Sequence, residues 1–548
     1  MKLPPQKELF SWYVELASKC NASREERRRS YNYWRLFFLS GCGPEGGEHI
    51  VNKIYSHIEQ INALVYSSET TRFSIDLSPS ASDLAKAQVG PLMRLLNQEW
   101  HLANTDLIFS SASLWSHCYG SMFIKMRVNA GQIEPFLVEP HDMGVLREDI
   151  AGLWRQEAFT HSYYTTMSQL EFELRQIPHP RLDSILKAIN PVPRPTEMDT
   201  TQVLERIVTA QSTPNMIGNV NVDLGYNNKY KPQVAEPLVR MTELYVFDDE
   251  IKDFRIVTMA EPGVVIFDRP LSSMFIKNEI PFIQVCPNPA YDYFWGYSEV
   301  DRLVPLQKMR NERIEQITHM LNLQARPPKF GSGFQGSIDE IADTLDSPSG
   351  VISADLPGAK METIQPKIPE DLYKEIREID QMFEEMTGIT NVMSGRGESG
   401  VRSQGHAASL ARLGSARAKK RALIIEDQLE KLANLFLQLM KAYMPARLRG
   451  DDDFEFIPDQ FTDKFIVKVD AHSNSPIFME DMRQLAFELL KAKAIDRQSL
   501  LDLIDVPMKE MLKLRLTKME ANEAQQRAQA QAMQAQSGGA KVRQLKGA

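Results

Sequence analysis

Cysteine is scarce in this chain. Cys20, Cys42, Cys118 and Cys286 are the only four in 548 residues, and no two stand at zinc-ligand spacing. A disulfide framework is excluded, and each thiol is expected as a small buried hydrophobe. No apolar run approaches the ~18 residues that a membrane span requires, and the opening Met1-Lys2-Leu3-Pro4-Pro5 lacks the apolar core of a signal peptide. The expectation is therefore a protein that stays in the cytosol that makes it and has no membrane partner. Ten histidines are dispersed without an HExxH or a His/Cys cluster, so no metal is expected. No GxSxG elbow marks a serine nucleophile. A strong excess of positive charge is also missing. With 63 Lys plus Arg against 72 Asp plus Glu, the net charge of -9 argues against a protein that coats nucleic acid indiscriminately.

What is present is an ordinary soluble composition, 43% hydrophobic and 25% charged, on a chain too long for one core. The first hundred residues read as helices: one carrying Leu9, Trp12, Tyr13 and Leu16, one through Tyr33, Leu36 and Phe37, then His49 to Val65 and Ser82 to Asp106. Phe123 to Val128 and Ile133 to Val138 read as a hairpin about Asn129-Ala130-Gly131. Further strands are predicted at Val239 to Phe247, Phe254 to Met259, Val264 to Phe267 and Phe282 to Cys286, giving a mixed sheet assembled from distant segments. Between them, the Pro- and Asn-rich stretch from Asn190 to Pro237 reads as an exposed insertion. Ser298 to Gln324 is a predicted helix with Ser298 as its N-cap. Phe465 to Val469 is one more strand, and helices return from Phe478 to Leu516.

The densest information lies between Pro369 and Met444. In Glu370 to Met386, the residues Leu372, Ile376, Ile379, Phe383 and Met386 recur at helical spacing and make one narrow packing face. Seven acids, Glu370, Asp371, Glu375, Glu378, Asp380, Glu384 and Glu385, oppose only Lys374 and Arg377 on that segment. Thr387-Gly388 is a glycine stop. Ile389 to Gly405 is a loop in which Gly395, Gly397 and Gly400 alternate with Arg396, Glu398, Ser399 and Arg402. From His406 a helical pattern runs to Tyr443, with Gly414-Ser415 at an expected kink. Arg402, Arg412, Arg417, Lys419, Lys420 and Arg421 reverse the sign of charge across the loop.

That order of parts resembles the portal, or head-to-tail connector, proteins of tailed bacteriophages. The resemblance extends from about Tyr119 to about Leu516. It is carried by Gly296-Tyr297-Ser298 opening a helix through Gln307 and Asn311, by Ser399-Gly400-Val401 in the loop, and by Gly405-His406-Ala407-Ala408 at the next helix start. The resemblance implies an α+β, noncatalytic ring subunit with a mixed-sheet wing, a two-helix stem, a small clip, a long kinked helix and a helical crown. Mapped onto this chain, residues 1–295 are the N-terminal helices and wing, 296–325 the first stem helix and 326–368 the clip. Residues 369–388 are then the second stem helix, 389–405 the tunnel loop, 406–477 the kinked helix and strand, 478–520 the crown, and 521–548 an Ala/Gln-rich tail.

From the same resemblance come a ring of twelve subunits at one capsid vertex and a channel for double-stranded DNA read without sequence specificity. The clip, with Phe330, Phe334, Lys360 and Lys367, would dock the large terminase and later adaptor or tail proteins. The wing would meet the major capsid and scaffolding proteins. The protein would reside in the virion, and in the host cytoplasm during assembly. Channel lining is expected from the acidic stem residues Glu375, Glu378, Asp380, Glu384 and Glu385, and loop contacts from Arg396, Glu398, Ser399, Val401, Arg402 and Gln404. A DNA conduit need not be basic, because each Lys or Arg contact to phosphate acts as a brake on sliding. Arg412, Arg417, Lys419, Lys420 and Arg421 either line the chamber above the loop or pair with acids of a neighbouring subunit.

Two stretches match GxGxxG and set up a rival reading. Gly331 to Gly336 is followed by a possible helix and by Asp355 near the distance of a ribose-binding acid, which would suit a cytosolic NAD-dependent enzyme. The strand before it would be only Lys329-Phe330. The second match, Gly395 to Gly400, follows a helix and has no phosphate-binding lysine, so no cofactor is expected there. The acid run Asp451-Asp452-Asp453 reads as solvated charge.

Overall fold

The computed structural model describes residues 1–44, 49–67, 71–77, 83–129, 131–176, 182–189, 238–277, 279–325, 329–332, 360–363, 367–389, 416–444 and 465–469, with short pieces elsewhere up to 519. Five helices open the chain: α1 (Leu9–Cys20), α2 (Arg24–Ser40), α3 (Lys53–Val65), α4 (Asp83–Leu102) and α5 (Thr105–Tyr119), with the short strand β1 (Phe73–Leu77) before α4. The run expected from Ser82 to Asp106 ends at Leu102, and Asn104, at φ 52, turns the chain into α5. Next come β2 (Met122–Asn129), β3 (Gln132–Val138), β4 (Met143–Val145), β5 (Ala158–Thr166), α6 (Met167–Gln176) and α7 (Leu182–Ala188). They are followed by β6 (Leu238–Asp248), β7 (Asp253–Ala260), β8 (Val264–Pro270) and β9 (Phe282–Val285). The remaining elements are α8 (Glu299–Ala325), β10 (Lys329–Ser332), β11 (Lys360–Thr363), α9 (Glu370–Thr387), α10 (Ala416–Tyr443), β12 (Arg447–Leu448), β13 (Glu455–Phe456) and β14 (Phe465–Val469).

Helix and strand are both present, as an α+β class requires. The sheet arrangement corrects the expectation of one mixed sheet. Two separate sheets form, β4-β5-β6-β7-β8 and β3-β2-β9, and every pairing among the described residues is antiparallel. Short turns favour this outcome for β2–β3, β6–β7 and β7–β8, since a parallel neighbour would need a long crossover. The β2–β3 hairpin forms as the sequence predicts, with Phe123 opposite Val138. Strand β5 was not foreseen, because Thr160, His161 and Ser162 are buried beside Ala158 and Phe159 and mask any alternation.

The two sheets meet face to face. Phe159 stacks on Tyr245 at 4.6 Å, and Phe282 of β9 meets Tyr245 edge-on at 5.5 Å. The opposite face of the larger sheet is covered by α1, whose Tyr13, Leu16, Ala17 and Cys20 pack on Leu244, Val246, Val257 and Met259. One continuous core then runs from α2 through α5, β2, α8 and α9 to α10, which makes the N-terminal helices and the long C-terminal helix parts of one packed body. All four cysteines are buried and none is in a disulfide, and burial pushes the thiols of Cys20 and Cys286 up to about 12.

Long-range anchoring relies on side-chain amides that replace missing ladder bonds, because a buried strand edge must satisfy its backbone groups. From α10, Gln428 accepts from the Cys286 amide and donates to its carbonyl, both at 2.9 Å. One helical stretch later, Asn434 does the same for Val467 of β14 at 2.8 Å, and Glu430 accepts from the Val469 amide. From α8, Gln307 bridges the Lys53 amide and the Val51 carbonyl, while Asn311 donates to Gly41. β14 in turn pairs with β1, almost four hundred residues earlier.

Candidate functional site

Around the start of α8, the residues that carried the resemblance have structural roles. Ser298 Oγ accepts from the Asp301 amide at 3.0 Å, the expected N-cap bond, and also donates to the Cys118 carbonyl of α5. Gly296, at φ +69, lies so close to Cys286 and Asn288 that a Cβ has no room. Gln307 and Asn311 grip the segment that leads into α3, as described above. These positions seat α8 against the N-terminal helices.

Helix α9 forms where its pattern predicts and stops at Gly388, φ +77. Its buried ridge is Ile379, Phe383 and Thr387, with Leu372 and Ile376 half-buried. Met386, expected on that face, is 43% exposed instead, and Thr387 takes the place. Phe383 stacks on His57 of α3 at 5.5 Å and 11°, so His57 is a core group.

The acidic residues of α9 do not share one face. Asp380 receives the Arg310 Nε hydrogen bond at 2.9 Å and lies 3.3 Å from Lys53 Nζ. Glu375 forms an ion pair with Arg313 at 2.8 Å. Both carboxylates flank the buried ridge and are tied to α8 or α3. Glu378 and Glu385 lie on the opposite, exposed side with Asp371, at i, i+7 and i+14. Their Cα atoms are spaced by about 10.5 Å per step along a straight helix. Asp371 is paired with Lys374 at 3.0 Å, and Glu384 is half-buried. Of the five carboxylates singled out in the sequence, Glu378 and Glu385 are thus the two presented to solvent, while Glu375 and Asp380 key the helix in place.

The C-terminus of α9 is held by two arginines of α10. Arg417 Nη1 donates to the carbonyls of Glu385 and Met386 at 2.7 and 3.2 Å. Arg421 Nη1 reaches the Thr387 carbonyl at 3.4 Å, its Nε reaches Asn288 Oδ1 at 3.3 Å, and its Nη2 donates to Glu299 Oε1 at 2.5 Å. Cations belong there, since the last carbonyls of a helix carry partial negative charge without an intrahelical partner. Within the subunit, Arg421 is buried against the end of α9, and Arg417, which is exposed, turns Nη1 toward the same carbonyls. The loop residues Arg396, Glu398, Ser399, Val401, Arg402 and Gln404, with His406, lie outside the described residues. The described residues stop at Ile389, which is buried, and resume at Ala416, so the expected kink at Gly414-Ser415 also lies outside them.

Of the four clip residues, Phe330 stands in β10 opposite Glu362, and Lys360 stands in β11 opposite Ser332. Lys360 and Lys367 are exposed. Phe334 lies outside the described residues. The described part of the first GxGxxG match disfavours a dinucleotide site: Gly331 sits inside an antiparallel ladder opposite Met361. A phosphate-cradling glycine stands beyond the end of a parallel strand. Gly333 to Gly336 and Asp355 are outside the described residues, as is the 190–237 insertion. Among the described residues no His, Cys, Asp and Glu are grouped to hold a metal ion, and no helix is long and apolar enough to cross a membrane.

No curated protein matches this chain. A family model described as the Phage SU10 portal protein matches residues 187–512, a span holding β6 to β9, α8, the acidic helix α9 and α10. Since that match covers more than half of the chain and includes the helices built above, the protein belongs to this family of phage portal proteins.

Proposed function

We propose that this chain is the subunit of a ring, of twelve copies, at one capsid vertex, and that α9 presents Glu378, Glu385 and Asp371 to the axis through which double-stranded DNA is packaged and later released. The observation that carries this reading is the exposed, heptad-spaced acidic stripe on a helix inside the family-matched region. Repeated around an axis, such a stripe repels phosphates at separations within about 8 Å, the screening length at physiological salt. DNA is then centred without being gripped. Base recognition is not required, because backbone-directed charge carries no sequence information.

In this reading the loop 389–405 lies next to the DNA, with Arg396 and Arg402 making transient phosphate contacts. The clip around Lys360 and Lys367 docks the terminase during packaging and adaptor or tail proteins afterwards. Energy for translocation comes from the terminase, and this subunit has no catalytic role. The test is charge reversal of Glu378→Lys together with Glu385→Lys, scored by complementation of a portal-deficient phage. Rings of normal mass are expected, with packaged DNA reduced by about tenfold or more, because each new lysine adds a phosphate contact that slows sliding. Normally filled heads from the reversed variant would remove the stripe from the DNA path.

A further inference from the structure

The acids of α9 divide into two sets, and what keeps the exposed set facing outward is visible in the structure. Glu375 and Asp380 are five residues apart, which places them about 140° apart around a helix. They flank the buried ridge on either side and are held by Arg313, Arg310 and Lys53. Those pairs restrain the middle of α9. Its C-terminal turn is fixed differently, by the four-way junction of Arg417, Arg421, Glu299 and Asn288 with the last carbonyls. Asn288 Nδ2 also donates to Glu299 Oε1 at 2.8 Å, so the carboxylate that orients Arg421 is itself oriented.

We propose that Arg417 and Arg421 are positioning residues that set the rotation of α9 through its C-terminal carbonyls, with Glu299 holding Arg421. This inference rests on the reading that the exposed face of α9 meets DNA. Through Glu299, in the first turn of α8, the same guanidinium joins the negative end of one stem helix to the start of the other. A guanidinium suits the task because its planar fork serves several acceptors at once, which a lysine ammonium on a flexible stem does less well. The exposed stripe cannot turn about the helix axis while these bonds hold.

Three readouts on the full-length ring test the proposal: native mass, hydrogen exchange of the 379–389 backbone amides, and packaged DNA after complementation. Arg417→Gln removes donors from an exposed side chain, so it should leave the subunit folded. It is expected to assemble into rings yet accelerate exchange of the 379–389 segment by about tenfold, the signature of a locally loosened helix end, and to reduce packaged DNA. Arg421→Gln should do the same more strongly. The exchanged pair Arg421→Glu with Glu299→Arg restores an ion pair but sets a carboxylate against the α9 carbonyls, so it should not rescue exchange or packaging. Wild-type exchange in Arg417→Gln, or full rescue by the exchanged pair, would overturn the proposal. If exchange rises in Arg417→Gln while the Glu378→Lys, Glu385→Lys variant packages normally, the arginines position α9 as argued and the DNA-facing reading is the one that fails.

Discussion

Between the two sheets, Lys125 of β2 meets Glu243 of β6 at 2.5 Å, with His161 at 3.4 Å from the same carboxylate oxygen and the Tyr245 hydroxyl donating to it at 2.7 Å. At the helix junction, Arg421 meets Glu299 at the same 2.5 Å, but its other donors go to a backbone carbonyl and to Asn288. Both pairs are buried. They differ in what remains when one partner is lost. Lys125 is enclosed by Phe136, Tyr163 and Phe282, and without Glu243 its hydrogen-bond partner among the described residues would be His161, which carries no negative charge. Arg421 without Glu299 would still have the C-terminus of α9. A sheet interior therefore stakes everything on one carboxylate, whereas the junction distributes its charge over a helix end.

The sharpest way to break this contrast is Glu243→Ala. It strands a buried ammonium, and the expected destabilisation is about 3–5 kcal/mol. Urea unfolding of the purified chain measures it. Glu299→Ala leaves Arg421 with acceptors, so its expected cost is smaller, about 2 kcal/mol. A reversed order would mean that the helix junction, and not the sheet interface, is the less tolerant cluster.

Acid acts on His117 at the junction and on Glu243 between the sheets in different pH windows. At the junction, His117 of α5 is fully buried, neither ring nitrogen has a hydrogen-bond partner among the described residues, and burial with the nearby Arg421 charge pulls its pKa down to about 3. The native state thus disfavours the proton that the unfolded chain takes up below 6.5. Stability from His117 is lost as pH falls from 6.5 toward 3, at up to ~1.4 kcal/mol per pH unit. Glu243 has the opposite character. Its burial alone would raise the carboxyl, yet Lys125 and His161 together draw it well below its ordinary 4.5. Its contribution is complete above 4.5 and fades only below that value. Between pH 6.5 and 5.5, His117→Leu should accordingly flatten the pH dependence of unfolding by about 1 kcal/mol relative to the parent chain, while Glu243→Ala, which removes the carboxylate that holds the His161 pKa up, should not flatten it.

How far the sequence revealed these regions follows from the range of the interactions. Local signals were sufficient for α9, whose pattern and Gly388 fixed both ends, and for Ser298, whose capping bond involves a residue three positions away. They were sufficient for the β2–β3 hairpin as well. The division of the acidic residues was not legible, because Glu375 and Glu378 look alike until α8 supplies Arg313 to one and leaves the other exposed. Arg421 looked like one of a basic run, and only the fold brings Glu299 and Thr387 to it. Strand β5 escaped for a related reason: His161 and Thr160 are polar residues buried by contacts made far along the chain.

Gly388 gives the smallest and most local probe of the junction. Its φ of +77 belongs to the left-handed region, and a Cβ placed there would lie 3.1 Å from Arg417 Cδ. The backbone conformation alone makes Gly388→Ala unfavourable by about 1 kcal/mol. The neighbour it crowds is the far part of a flexible, exposed side chain, so Arg417 can withdraw at little steric cost. Withdrawal would, however, take its Nη1 away from the Glu385 and Met386 carbonyls. The expected result is a loss of unfolding free energy, measured in urea, close to that strain energy, with faster amide exchange confined to the end of α9. Combining it with Arg417→Gln separates the two contributions: if Arg417 holds the helix end, the double variant should lose less than the sum of the single losses, since the bonds displaced by alanine are already gone.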